Sequence, residues 1–461
     1  MKKSVVLLLA TLGVMLSPAA GLSGANKTAK DGRLGYVDDP KGHFNIYFGD
    51  LHSHTIFSGD HGRGVSIKMG WANADHTDMT DPAYWDKLYA LPGDQPADAY
   101  DNARRLGMDF LAVSDHSNAI REYRFLTDFP GAPLPKAQSL WYEHGFTDAH
   151  WLITKTAAQA KNDPGKFVAI AAFEYSNNNG KGNEDGHMNI FNTDDWQTAL
   201  GPQRTYTWLF TKILPQVKAL AEARPADDWR GPRIVVQFNH PGINDYDNWL
   251  NLVNPRTIPA RGKEPTNFNQ FVRDFEYNFT VASRPAVYEK VLNLGWKVAP
   301  AMNSDIHGVP NYTEAHRGSG VLATELSTKA IMEAIYQRRI YATLMNAPVE
   351  LDFRLNGYVM GYAFASRPAR NFVIDTYAKS RQGDEVTRVE VFAGKYATDD
   401  SDAQVTAPHK MIASMTVSAA NPKATVTLSG SDSVGYDFYY IKAYRGDTLA
   451  AISAPIWMDN Q

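Results

Sequence analysis

Residues 46–62 read IYFGDLHSHTIFSGDHG. The apolar Ile46-Tyr47-Phe48 has the composition of a short buried strand. His52, His54, Asp60 and His61 follow at once. In an extended segment side chains repeat with period two, so His52 and His54 point to one side. Two neutral imidazoles on one side make half of a transition-metal site. Taken alone, such a pair is more often an ordinary surface or core feature.

The pattern recurs along the chain. The apolar run 110–113 is followed by Ser114-Asp115-His116, and 167–173 by Glu174. Run 234–238 leads into Asn239-His240-Pro241, and 298–302 into Asn303-Ser304-Asp305-Ile306-His307. Each apolar run ends in a side chain that can bind metal. His187, behind the Asn/Gly-rich loop 177–186, is a further contributor. One helix is clearly punctuated: Pro96 starts it, Gly107 follows it, and Ala99, Tyr100, Ala103 and Leu106 share a face. Apolar runs alternating with helical patterns predict an α/β fold with a parallel sheet or barrel over residues 43–347. In a parallel barrel the strand ends meet on one face.

Beyond Pro348 the period becomes two, as in Leu351-Asp352-Phe353-Arg354-Leu355 and Thr425-Val426-Thr427-Leu428. This predicts a small all-β, sandwich-like domain over residues 348–461. Residues 1–25 (a positive Lys2-Lys3, a short apolar core, then small residues) read as an export signal, and 26–42 as a polar leader. The expected location is periplasmic or secreted, with no stable membrane anchor after cleavage. The chain has no cysteine, which excludes disulfides, thiolate zinc sites and a lipobox. With 44% hydrophobic residues and a net charge of −4, it has material for a large core and no basic bias toward nucleic acid.

The motifs GDLHSHTIFSGD, DFLAVSDH, Phe173-Glu174 with Gly186-His187, Asn239-His240-Pro241 and Ser304-Asp305-Ile306-His307 together resemble the successive motifs of the PHP superfamily of metallohydrolases. The signal and β-rich tail are similar to its secreted branch, which includes the CehA/McbA-type enzymes. The resemblance implies a distorted (β/α)7 TIM-like barrel and two or three divalent ions: Zn, Mn or Fe. It implies that His52, His54, Glu174 and Asp305 hold one ion. Glu174 then bridges to a second, held by His187 and His240, and Asp60, His116 and His307 hold a third. Asp60 departs from relatives that carry histidine there, which makes the third site harder in character. Glu174, Asp305 and His307 are the expected catalytic residues, with metal-bound hydroxide as nucleophile.

The expected substrates are small phosphoesters, with carboxylic or carbamate esters as the alternative. An amidohydrolase of the related barrel type and a non-catalytic metal-binding protein are rival readings. Asp50 and Asp115 are candidates to orient imidazoles or, for Asp115, to cap a helix. Asn239 and Asn303 are candidates for turns or substrate contacts, and Arg63, Arg121 and Arg317 for anion clamps. Trp71, Tyr84, Trp85 and Tyr89, in the insertion 61–95, suggest either an apolar lid or packing.

Overall fold

The computed structural model describes residues 40–58, 87, 89–117, 146–177, 186–199, 208–241, 270–279, 284–307, 314–367, 371–398, 406–430 and 433–458. The export signal, nearly all of the polar leader, Asp60, His61, Arg63, Trp71, Tyr84, Trp85 and Arg121 lie outside the described residues.

The site-bearing half begins with β1 (Asn45–Asp50), α1 (Pro96–Arg105), β2 (Phe110–His116), α2 (Asp148–Lys161) and β3 (Val168–Asn177). After β4 (Gly186–Phe191) come α3 (Leu214–Glu222), β5 (Val235–Phe238), β6 (Val272–Glu276), α4 (Arg284–Asn293) and β7 (Ala299–Ala301). β8 (Ser319–Ala323), α5 (Thr328–Tyr336) and β9 (Ile340–Thr343) follow. α1 buries Ala99, Tyr100 and Ala103, carries Pro96 in its first turn and ends before Gly107, whose φ of +75° suits glycine.

The C-terminal part holds β10 (Val349–Leu355), β11 (Tyr358–Val359), β12 (Ala363–Phe364), β13 (Phe372–Ser380), β14 (Arg388–Gly394) and β15 (Lys410–Thr416). It ends with β16 (Lys423–Leu428), β17 (Phe438–Arg445), β18 (Thr448–Ile452) and β19 (Ile456–Met458).

The expectation of a (β/α)7 barrel followed by a separate sandwich is corrected by the strand pairing. Among the described residues the strands form one mixed sheet of 15 strands, running β12-β19-β17-β18-β9-β8-β1-β2-β3-β4-β5-β6-β7 with β14 and β15 branching off β17, and a second sheet of four, β11-β10-β13-β16. β1-β2-β3 and β5-β6-β7 are parallel, but β4 is antiparallel to both of its neighbours and β8 is antiparallel to β1. Only residues 178–185 separate β3 from β4, a connection too short for a parallel crossover. β18 hydrogen-bonds to β9, so the C-terminal strands extend the large sheet. The four-stranded sheet packs Leu351, Phe353 and Ile374 into the same buried cluster as Val389, Val391 and Ile441 of β14 and β17.

Apolar runs show that strands exist but not their direction, because both directions bury the same side chains. The core decides the rest. Phe48, Phe110 and Ile170 are buried in one cluster with Ala172 and Ala301, and each large side chain contributes roughly 1.5–3 kcal/mol. Gly49 lets β1 approach β2: a Cβ there would lie 2.1 Å from the Phe110 carbonyl oxygen. An isolated parallel bridge between Ser53 and Ile306 brings the segment after β7 beside the segment after β1. That bridge draws the motif-bearing ends together.

Candidate metal centre

Alternation along the strands aims the site residues. On β3, Val168, Ile170 and Ala172 join one cluster while Phe173 and Tyr175 join another, so Glu174 and Ser176 point with the first set. His116 is in register with Glu174, and Ser176 with His187. Backbone bonds from Asp305 N to the His52 carbonyl at 3.0 Å and from His54 N to the Ile306 carbonyl at 3.2 Å lock the two histidine-bearing segments together.

Among the described residues three groups of side chains that could hold metal ions result: His52, His54 and Glu174; His116, Glu174 and His187; and His54, His116 and His307. Glu174 is the shared member of the first two. Its Oε1 lies 3.3 Å from His52 Nε2, 3.0 Å from His187 Nδ1 and 3.4 Å from His240 Nε2. Its Oε2 lies 2.5 Å from His116 Nδ1 and 3.7 Å from His54 Nε2. Asp305 Oδ1 stands 3.2 Å from His52 Nε2 and 2.9 Å from His54 Nε2. Eight of the nine expected ligands are therefore brought together, and Asp60 lies outside the described residues. The grouping is finer than the sequence implied: His116 adjoins Glu174 and His187, and His54 adjoins His116 and His307.

The donor set fits cations. His52, His54 and Glu174 are buried, and Glu174 Oε2 is met there by imidazole nitrogens of His116 and His54. A buried carboxylate is costly unless positive charge stands close to it. Burial opposes ionisation of Glu174, but His116, His187 and His52 hold its carboxyl well below the usual range. Burial likewise opposes charge on His52, yet Asp305, Glu276 and Glu174 raise its pKa well above the ordinary imidazole value. His54 is pushed down to about 3 by burial and by His307 and His116. The carboxylates thus demand positive charge among nitrogens that cannot all carry protons. A divalent ion answers both demands.

A hydrogen-bonded support surrounds these groups. Ser58 Oγ accepts from His54 Nδ1–H at 2.7 Å and from the His116 backbone N–H at 3.0 Å, and it donates to Asp115 Oδ1 at 3.0 Å. Asp115 also accepts from the Thr55 backbone and hydroxyl. It thus acts on His54 through Ser58. Asp50 accepts from the backbone N–H groups of His52 and Ser304 at 3.0 and 3.2 Å. Asn239 Nδ2 donates to Glu174 Oε1 at 2.8 Å and to Asn189 Oδ1 at 2.9 Å. Asn239 Oδ1 accepts from Gln237 at 2.9 Å, whose own oxygen accepts from Asn303. A belt of amides beneath the centre therefore ends on Glu174.

Glu276, at the end of β6, was not legible as a site residue. Its Oε1 accepts from His52 Nδ1–H at 3.1 Å. The pair Phe275-Glu276 repeats the pair Phe173-Glu174, and that repetition was the available signal. The Arg317 guanidinium donates to the Leu106 and Gly107 carbonyls, just past the end of α1. His316 Nδ1 stands 4.0 Å from Asp50. Tyr89 packs against Phe57 and His150, with ring centroids 5.9 and 4.4 Å away.

The family described as "Protein of unknown function (DUF3604)" matches residues 132–207. The comparison with curated proteins finds no match. Among solved structures, an immunoglobulin-like protein from Pseudomonas aeruginosa is similar over 24% of this chain and 91% of its own, at 16% identity and a TM-score of 0.13. A likeness of that size carries no argument about this fold or site.

Proposed function

We propose that this chain is a metal-dependent hydrolase acting first on small phosphoesters. The reading is supported by one observation above the others: three adjoining ligand groups are linked pairwise, through Glu174, His54 and His116. Such a compact multinuclear arrangement suits a transition state that spreads charge over several oxygens. Two or three divalent ions among Zn, Mn and Fe suit its mixed imidazole and carboxylate donors. Bound there, they supply Lewis acidity, acidifying water and polarising a phosphoryl oxygen.

The chain's own residues do the rest. His52, His54, His116, His187 and Glu174 present the donor atoms of the first two groups. Asn239 orients Glu174, and Ser58 orients His54. Asp305, His307 and His240 lie at the open side, with side chains 36, 30 and 32% exposed. His307 Nδ1–H donates to the Asp305 carbonyl at 2.9 Å. In the neutral ring this makes Nε2 the basic nitrogen. Through that lone pair His307 can join His54 and His116 in holding an ion, or take a proton from the attacking water and hand it on to the leaving oxygen.

The test is nitrophenolate release by the full chain loaded in turn with Mn, Zn and Fe. Chelator-sensitive cleavage of nitrophenyl phosphate mono- or diesters is expected. Cleavage confined to carboxylate or carbamate esters would replace the phosphoester reading. Bound metal with no turnover on either class would favour a metal-binding protein.

A further inference from the structure

We infer that Glu276 is a positioning residue that sets two of the metal-binding histidines, His52 and His240, at once. The inference rests on the metal-centre reading above.

Glu276 belongs to none of the three ligand groups. It ends β6, a strand that carries no proposed ligand, and it is buried. Its neighbour in register on β7 is the small Ala301. Arg273 and Phe275 point the other way, onto Tyr336 and Tyr288. Glu276 is thereby aimed at the site side of the sheet.

Each of its oxygens has its own task. Oε1 accepts from His52 Nδ1–H at 3.1 Å. A carboxylate on Nδ1–H selects the tautomer whose lone pair is on Nε2 and makes that nitrogen more basic. His52 Nε2 is the atom that faces Glu174, Asp305 and His54. Oε2 accepts from the backbone N–H of His240.

That second bond matters because His240 has a φ of +23°. Positive φ is uncommon outside glycine, and the following Pro241 restricts the backbone of His240 further. Such a conformation persists only where its surroundings over-determine it. Glu276 is part of that determination, and the conformation carries His240 Nε2 to 3.4 Å from Glu174 Oε1. One carboxylate from a ligand-free strand thus orients imidazoles that reach Glu174 from two different strand ends.

The test compares the full chain with Glu276→Gln and Glu276→Ala. Zn2+ affinity is measured against a chromophoric chelator, and the His52 tautomer by long-range 1H–15N imidazole spectra. Both variants are expected to lose about 10–100-fold in affinity, with Gln the milder because its single amide oxygen can serve only one of the two N–H groups. The His52 Nδ1–H signal should persist in the zinc-loaded parent and be lost or broadened in Glu276→Ala. If that variant does not fold, the near-isosteric Gln carries both readouts. Parent-like affinity together with an unchanged His52 tautomer overturns the proposal while leaving the metal centre standing. A parent chain that takes up no Zn2+ overturns the metal reading and this proposal with it.

Discussion

His52 Nε2 and His54 Nε2 face each other at 3.1 Å, and Asp305 Oδ1 lies within 3.2 Å of both. Lone pairs and a carboxylate cannot meet this closely without a positive charge among them. Without a bound ion, a proton on His52 would supply that charge, since the surrounding carboxylates raise its pKa despite burial. His54, driven to about 3, stays neutral. A divalent ion must therefore displace a proton. Zn2+ binding at pH 7 should release protons and tighten as pH rises. Calorimetry in buffers of different ionisation enthalpy measures the release, and binding with no proton release would contradict this assignment.

Glu174→Gln keeps the shape of the side chain but removes the charge shared by two ligand groups. The expected result is loss of at least one bound ion and of hydrolysis, with the fold retained. Metal counting by mass spectrometry beside a thermal melt separates these effects. Full metal content and full turnover would remove Glu174 from the centre.

Asn239→Leu removes the amide that donates to Glu174 Oε1 at 2.8 Å. Losing a partner of this kind weakens metal binding by about 10–100-fold. Gln237→Leu, one step further along the belt, should act in the same direction but less strongly. Chelator competition on the two variants checks the order.

His409 is far from this chemistry in sequence and gives a metal-independent test. Its imidazole is buried, with Tyr440 Oη 3.0 Å from Nδ1 and Asn293 Oδ1 2.8 Å from Nε2. Burial lowers its pKa to about 4 from an ordinary 6.5. A depressed value means that the unfolded chain takes up the proton first. The contribution is complete above pH 6.5 and is lost as pH falls toward 4, at up to about 1.4 kcal/mol per unit. His409→Gln should flatten denaturant-derived stability across that window. An unchanged slope would remove His409 as its source.

Asp274 is buried with neither carboxylate oxygen hydrogen-bonded. Burial, and then Glu276, raise its pKa well above 3.8. A raised value gives the opposite sign: stability is fully present below pH 3.8 and declines as pH rises toward the folded value. Asp274→Asn cannot ionise, so it should gain on the parent chain with increasing pH. Parallel urea titrations at pH 5 to 9 show this as diverging midpoints (about 1–3 kcal/mol for one unsatisfied buried group).

The site was legible where an apolar run ended in a ligand. β1, β2, β3, β5 and β7 all announced themselves in that way. β6 did not, because Arg273 and Asp274 interrupt its run. In the structure the Arg273 guanidinium stacks 4.2 Å from the Tyr336 ring, on the face away from the site, and Asp274 turns inward. Glu276 was hidden with its strand. β4, reading GHMNIF, was too mixed to stand out, and its absence left the sheet looking uniformly parallel.

The amino-acid sequence by itself determined which segments extend, which faces they bury, and which donor types stand at their ends. These are local properties of side-chain period and chemistry. Only the tertiary structure decided strand direction, the union of the C-terminal strands with the large sheet, and the meeting of His116 with Glu174. It also decided that Glu276 would hold His52. Those outcomes depend on hydrogen bonds between residues far apart in the chain, and an isolated segment serves either direction and many partners equally well.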